Sequence, residues 1–225
     1  MQGSKREWDH QQKNRAARLT RAAGVLGSAL NGKLVSAERI VELLHSVIES
    51  GDRVCLEGNN QKQADFLAAA LCQMEPARVH DLHMLLSVLA LPEHLDLFDK
   101  GIASKLDFSF SGPQGAQLAR LVAAGKINIG AIHTYLELFG RYFIDLTPRV
   151  AMVAAQAADR HGNLYTGPNT EDTPAIVEAT AFKNGIVIAQ VNEIVDVLPR
   201  VDVPADWVDF VVPVSYTHLK LPTKA

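Results

Sequence analysis

Three short stretches hold the residue types that could bind or move an acyl group. The first is Glu57-Gly58-Asn59-Asn60-Gln61-Lys62, the second Ser111-Gly112-Pro113-Gln114-Gly115, and the third Gln190-Val191-Asn192-Glu193. Glycine lets a ligand approach the main chain, and Asn and Gln can hydrogen-bond a carboxylate or thioester oxygen without adding a charge. On this reading Gly58, Asn59, Asn60, Gln61, Gly112, Gln114 and Asn192 are the candidate substrate-binding residues. Glu57 and Glu193 stand at expected strand ends and are the candidate nucleophiles or bases. Each has a plainer alternative, since Gly-Asn turns are common connectors and a carboxylate at a strand end can simply be solvated or hydrogen-bonded.

Other chemistries lack their patterns. His80, Asp81 and His83 lie close together and His94 follows, but His80 and His83 would face opposite sides of a strand and no metal-ligand spacing is present, so no metal is expected. Cys55 falls in an expected strand and Cys72 on an expected helix, without a Cys-x-x-Cys pair, so both read as packing residues. The sequence contains no Gly-x-Ser-x-Gly elbow, P-loop or Gly-x-Gly-x-x-Gly fingerprint.

The elements that must position these residues follow from hydrophobic spacing. Ile40, Val41, Leu44, Val47 and Ile48 form one helical stripe, with Ser36 as its expected cap and Gly51 as its stop. Residues 53–57 read as a strand that feeds the first loop, and Ala64, Leu67, Ala68 and Leu71 resume helical spacing. The unit recurs: Leu106, Phe108 and Phe110 alternate at period two, the second loop intervenes, and Leu118, Leu121 and Val122 follow at helical spacing. Further strands are expected at 126–129, 151–155, 176–179, 186–191 and 208–212, with a helix near 132–143. Strands separated by helices predict an α/β domain with a mostly parallel sheet flanked by helices.

Composition agrees with a folded domain. The 225 residues are 48% hydrophobic and 21% charged, enough to bury one sizeable core. Charge is uneven: six of the 22 basic residues fall in the first 21 positions against Glu7 and Asp9, and the body is acidic. Nucleic-acid binding needs many cations on one face, so it is not expected. Residues 1–20 read as a basic, solvated arm. No apolar run approaches the roughly 18 residues of a membrane helix, and two cysteines with no secretory leader point to the cytoplasm. Residues 215–225 break the pattern of the rest and read as a non-native read-through tail, which leaves 21–214 as the domain.

Four segments carry a resemblance: 56–67 (Leu-Glu-Gly-Asn-Asn-Gln-Lys-Gln-Ala-Asp-Phe-Leu), 130–139 (Gly-Ala-Ile-His-Thr-Tyr-Leu-Glu-Leu-Phe), 162–174 (Gly-Asn-Leu-Tyr-Thr-Gly-Pro-Asn-Thr-Glu-Asp-Thr-Pro) and 199–210 (Pro-Arg-Val-Asp-Val-Pro-Ala-Asp-Trp-Val-Asp-Phe). Over residues 20–214 the chain resembles the first half of the α subunit of bacterial malonate decarboxylase. The resemblance implies a CoA-transferase-like fold and exchange of acetyl-S-carrier plus malonate for malonyl-S-carrier plus acetate. It implies as partners an acyl carrier protein bearing a CoA-like phosphoribosyl-dephospho-CoA group and separate decarboxylase subunits, so this chain needs no cofactor of its own. A dicarboxylate substrate makes Arg141, Arg149 and Arg200 candidates for its second carboxylate, and His133 and Thr134 either site residues or helix caps. The competing readings are a general acyl-CoA:carboxylate CoA-transferase or thioester hydrolase, and a non-catalytic assembly or carrier-docking domain. The missing second half predicts that this chain alone is inactive.

Overall fold

In the computed structural model the described residues are 7–59 and 61–214, so Asn60 and the expected tail at 215–225 lie outside them. Ten strands form one sheet in the order β1-β2-β10-β9-β7-β3-β4-β5-β6, with β8 paired to β7. The strands are β1 (Leu30–Asn31), β2 (Leu34–Val35), β3 (Arg53–Leu56), β4 (Leu82–Val88), β5 (Ala103–Phe110), β6 (Asn128–Ile132), β7 (Val150–Asp159), β8 (Leu164–Tyr165), β9 (Ile186–Val195) and β10 (Phe210–Pro213). Among the described residues, the β1–β2 and β7–β8 strand pairs are antiparallel and the other strand pairs are parallel. The helices are α1 (Glu7–Leu26), α2 (Ile40–Val47), α3 (Asp65–Leu71), α4 (Glu93–Asp99), α5 (Gly115–Ala123), α6 (Tyr135–Ile144) and α7 (Thr173–Phe182).

Side chains alternate across each strand, and that alternation divides the core. Val54, Leu56, Met84 and Leu86 pack with residues of α1 to α5, while Cys55, Leu85, Ala151 and Val153 pack with α6 and α7. Both faces of the central strands are covered, which is why they read as near-continuous apolar runs. The chain leaves β3 outward through β4, β5 and β6, then returns to lay β7 on the other side of β3. Strand order therefore reverses between β3 and β7, and in open α/β sheets the ligand crevice lies outside the carboxyl ends at such a switch point.

Several elements differ from the sequence expectation. Residues 10–20 are not a solvated arm: α1 packs on α2, and Arg18, 4% exposed, pairs with Asp52 and with Glu49 at 2.8 Å. This polar helix is anchored by ion pairs rather than by a broad apolar stripe, which the charge count could not distinguish from a tail. Residues 176–179 belong to α7 rather than to a strand; Pro174 fits the first helical turn, and Ile176, Val177, Ala179 and Thr180 are buried. Their β-branching suggested strand, and packing against β7 and β9 overrides it. β6 is displaced to Asn128–Ile132, and α6 starts only after Thr134, whose hydroxyl caps it by accepting from Glu137 N at 3.3 Å. Ser36 makes no side-chain cap, because a 3-10 turn at Ala37–Arg39 precedes α2.

Candidate functional site

β3 ends at Leu56, and the next residue ties the switch point together. Glu57 N donates to Met152 O of β7 at 2.8 Å, and Glu57 O accepts from Ala64 N at 2.9 Å. Its carboxylate crosses the same gap: Oε2 accepts from Ala154 N at 2.7 Å, and Oε1 accepts from Thr173 Oγ1 at 2.5 Å and from Lys62 Nζ at 3.3 Å. Lys62 Nζ also donates to Thr173 Oγ1, which closes a ring of carboxylate, ammonium and hydroxyl. Glu57 is 1% exposed; burial pushes its carboxyl upward, against the pull of Lys62. Its oxygens are committed to β7, α7 and its own loop.

The rest of the loop is equally determined. Asn59 Oδ1 accepts from Gln61 N at 2.8 Å and from Lys62 N at 2.9 Å, the side chain mimicking a backbone turn. Gly58 faces inward: a Cβ there would stand 2.4 Å from His94 Cε1 and 3.3 Å from Val88 O. The buried His94 ring by itself accounts for a glycine at this position. Behind it, the Ser87 hydroxyl lies 3.1 Å from Gly58 O and donates to Asp172 Oδ2, whose carboxyl burial pushes upward.

Above this floor, at the carboxyl ends of β3, β7 and β9, is an open cavity of about 550 Å³. The first loop and the residue after it contribute Gln61, Lys62 and Gln63; α3 contributes Asp65; β7 contributes Gln156; the segment after β8 contributes Thr166 and Asn169; β9 contributes Gln190, Asn192 and Glu193. Gln190 is held in place, its Nε2 donating to Asp65 Oδ1 at 2.8 Å and its Oε1 accepting from Leu67 N at 3.1 Å. Asn169 Nδ2 donates to Gln61 Oε1 at 3.2 Å. Six amide side chains, one cation and two carboxylates make a wall of mainly neutral donors and acceptors. Such a wall suits carbonyl and amide groups, and it can orient a thioester oxygen.

Gln61, Asn192 and Glu193 come together at this cavity, with Glu57, Gly58 and Asn59 beneath or behind it. Gly112 and Gln114 do not line it; they form a 3-10 turn after β5, and Gly112, at φ +53°, packs against Leu89 O. The arginines do not line it either, although Arg200 Nη2 donates to Gly167 O at 3.1 Å, between the lining residues Thr166 and Pro168. Arg141 pairs with Asp145 at 2.6 Å, Arg200 pairs with Asp202 at 2.5 Å, and Arg149 precedes β7 at the opposite end of the sheet. Lys62 is the cation at the cavity. Thr166, Asn169, Asp172 and Thr173 were not singled out as site residues, although all four lie in the 162–174 segment whose composition carries the resemblance.

The histidines form other groupings. Asp107 is bracketed by His83 Nε2 at 2.6 Å and His133 Nε2 at 2.7 Å, which holds its carboxyl below the usual range despite burial. Among the described residues, no group of three or more His, Cys, Asp or Glu is arranged to hold a metal ion. Cys55 and Cys72 are free and buried, and no described helix is long and apolar enough to cross a membrane.

Residues 7–222 match the family described as malonate decarboxylase, alpha subunit, transporter. The chain belongs to this family. The match runs past Val214, where the sequence reading ended the resemblance. Among curated relatives, the acetyl-S-ACP:malonate ACP transferase of Malonomonas rubra is 58% identical over 180 residues, covering 80% of this chain and 32% of that protein. Among solved structures, a Pseudomonas malonate decarboxylase hetero-tetramer in complex with malonate superposes with a TM-score of 0.88 at 54% identity, covering 93% of this chain and 38% of that one. The malonate decarboxylase α subunit of Acinetobacter baumannii gives 0.87 at 50% identity, covering 92% and 38%. This member of the malonate decarboxylase α family therefore spans about a third of the length of these relatives, less than the half expected from sequence. Glutaconate coenzyme A-transferase from Acidaminococcus fermentans, 15% identical with a TM-score of 0.64 and with 82% of this chain and 76% of that one covered, shares the fold. The mostly parallel CoA-transferase-like sheet expected from the sequence is thereby established.

Proposed function

We propose that this chain forms one wall of the active site of an acyl carrier protein transferase, which exchanges acetyl-S-carrier and malonate for malonyl-S-carrier and acetate. The observation that carries the reading is the amide-lined cavity at the β3/β7 switch point, in a chain 58% identical over 180 residues to a protein of that activity. One carboxylate oxygen of malonate bonds to the acetyl carbon as its carbon–sulfur bond breaks, the bond from that oxygen to the malonyl carbon then breaks to release acetate, and the carrier thiolate bonds to the malonyl carbon, so no oxidant or reductant is needed.

The roles divide by position. Gln61, Gln190 and Asn192 orient the thioester and carboxylate oxygens. The Glu57–Lys62–Thr173 ring keeps the loop in register and fixes the cavity floor, the Lys62 ammonium being shared among Glu57 Oε1, Thr170 O and Thr173 Oγ1. Glu193, exposed at the rim, is the lining carboxylate free to act on substrate. The thiol arrives as substrate on a carrier subunit's CoA-like phosphoribosyl-dephospho-CoA group. Decarboxylase subunits act next, in keeping with the hetero-tetramer of the Pseudomonas relative. Free Cys55 and Cys72 fit a cytoplasmic setting.

The test is malonate-dependent release of acetate from acetyl-carrier protein by a full-length subunit containing this sequence, against its Asn192→Ala and Lys62→Met variants. Both variants should lose activity at least about tenfold, since removing one positioned donor costs that much or more. Undiminished release by both, with folding confirmed, would remove the cavity from the reaction.

A further inference from the structure

At the opposite end of the sheet, beyond the amino ends of β7 and β9, two adjoining cavities of about 270 and 450 Å³ share Gln11 and Arg149. Neither contains a residue of the acyl cavity. Their anions are already neutralised. Glu49 and Asp52 are held by Arg18, Glu49 also by Arg21, and Asp145 by Arg141. Arg15, at the rim, is bound to Asp209 and to Gly185 O at 3.2 Å.

Three cations line the larger cavity: Arg53, whose Nε donates to Thr147 O at 2.8 Å, and Arg149 and Lys183. Arg149 is half-buried, and among the described residues its guanidinium has no hydrogen-bond or ion-pair partner. Lys183, half-buried after α7, has its ammonium 5.9 Å from the centre of the Phe182 ring and among the described residues makes no ion pair. Both line the larger cavity, together with Thr147. The planar fork of the Arg149 guanidinium matches the paired oxygens of an oxyanion.

From this charge pattern the geometry points to a binding site for a dianionic phosphate group of a small molecule, held by Arg149 and Lys183. Two unneutralised cations call for two negative charges, which a phosphate monoester carries near neutral pH and a lone carboxylate does not. Thr147 and Gln11 add polar groups at the wall, and 450 Å³ is larger than a phosphate alone requires, leaving room for the group that bears it. The site shares no lining residue with the acyl cavity.

The experiment uses the 225-residue chain, with inorganic phosphate and pyrophosphate as probes and sodium chloride at matched ionic strength as control. Phosphorus NMR line broadening and thermal unfolding are recorded for the native sequence and for Arg149→Gln and Lys183→Gln. Saturable broadening and stabilisation by phosphate, at least about tenfold weaker in Arg149→Gln and also weakened in Lys183→Gln, is the expected result. Equal response in all three proteins would overturn the site, and so would responses to phosphate and to pyrophosphate that are both no greater than to chloride. An effect of pyrophosphate alone, lost in both variants, would support it as a diphosphate site. The acyl cavity contains neither residue, so this test stands or falls independently of the proposed transfer.

Discussion

Lys62 Nζ lies 3.3 Å from Glu57 Oε1 in a pair whose side chains are 9% and 0% exposed, and the pair spans the gap where strand order reverses. A carboxylate this enclosed cannot be left alone. Lys62→Met should destabilise the fold by about 3–5 kcal/mol, the cost of stranding a buried charge. Adding Glu57→Gln should recover most of that loss. Chemical denaturation of the two variants checks it: if the double variant is no more stable than the single, the lysine is not there to neutralise Glu57.

Gly58 and His94 offer a second, separable test. Gly58→Ala places a methyl against the ring and should cost roughly 1–3 kcal/mol through overpacking. Pairing it with His94→Ala should relieve that cost, giving a favourable coupling in a double-mutant cycle. Strictly additive losses would show that the glycine answers to something other than His94.

Stability should also fall in mild acid because of His94. Burial pulls its folded-state pKa from 6.5 down to about 4, so the folded protein resists a proton that the unfolded chain accepts. The stabilisation is fully present above about pH 6.5 and is lost as pH falls toward 4, roughly 3 kcal/mol in all. Unfolding free energies measured at about pH 7, 5.5 and 4.5 should show a slope that His94→Gln flattens. Parallel profiles for the two proteins would exclude His94 as the source.

Turnover should separate the two candidate glutamates. In a full-length subunit, Glu193→Gln should lower kcat by about 100-fold or more if the exposed carboxylate acts as nucleophile or base, with unfolding midpoints unchanged. Glu57→Gln should instead shift the midpoint, since its oxygens are bound to Ala154, Thr173 and Lys62. The reverse pattern would make Glu57 the reacting group.

The 225-residue chain on its own should release no malonate-dependent acetate, because the cavity is open and most of a relative's length is absent. A rate comparable to that of a full-length relative at equal concentration would show that this wall carries the whole site.

Strand–loop–helix grammar was legible because it is local. Apolar periodicity located β3, β5, β9 and the helices after β3 and β5, and the glycine- and amide-rich loops marked the carboxyl ends of the strands. The unusual composition of residues 56–67 and 162–174 was enough to indicate the family. β4, for which no strand is expected from the sequence, and α7, whose residues 176–179 read as a strand, show the limit. Their apolar runs satisfy either structure, and only burial between neighbouring layers decides.

What only the tertiary structure settled is which residues share a space. Strand order is a long-range property, and it alone brought Glu57 to Ala154 across 97 positions and to Thr173 across 116. It also sent Gly112 and Arg149 away from a cavity that their residue types suited. A side chain's chemistry is written in one position, but its partners are set by the pairing of distant strands, where the summed burial of whole layers outweighs any local preference.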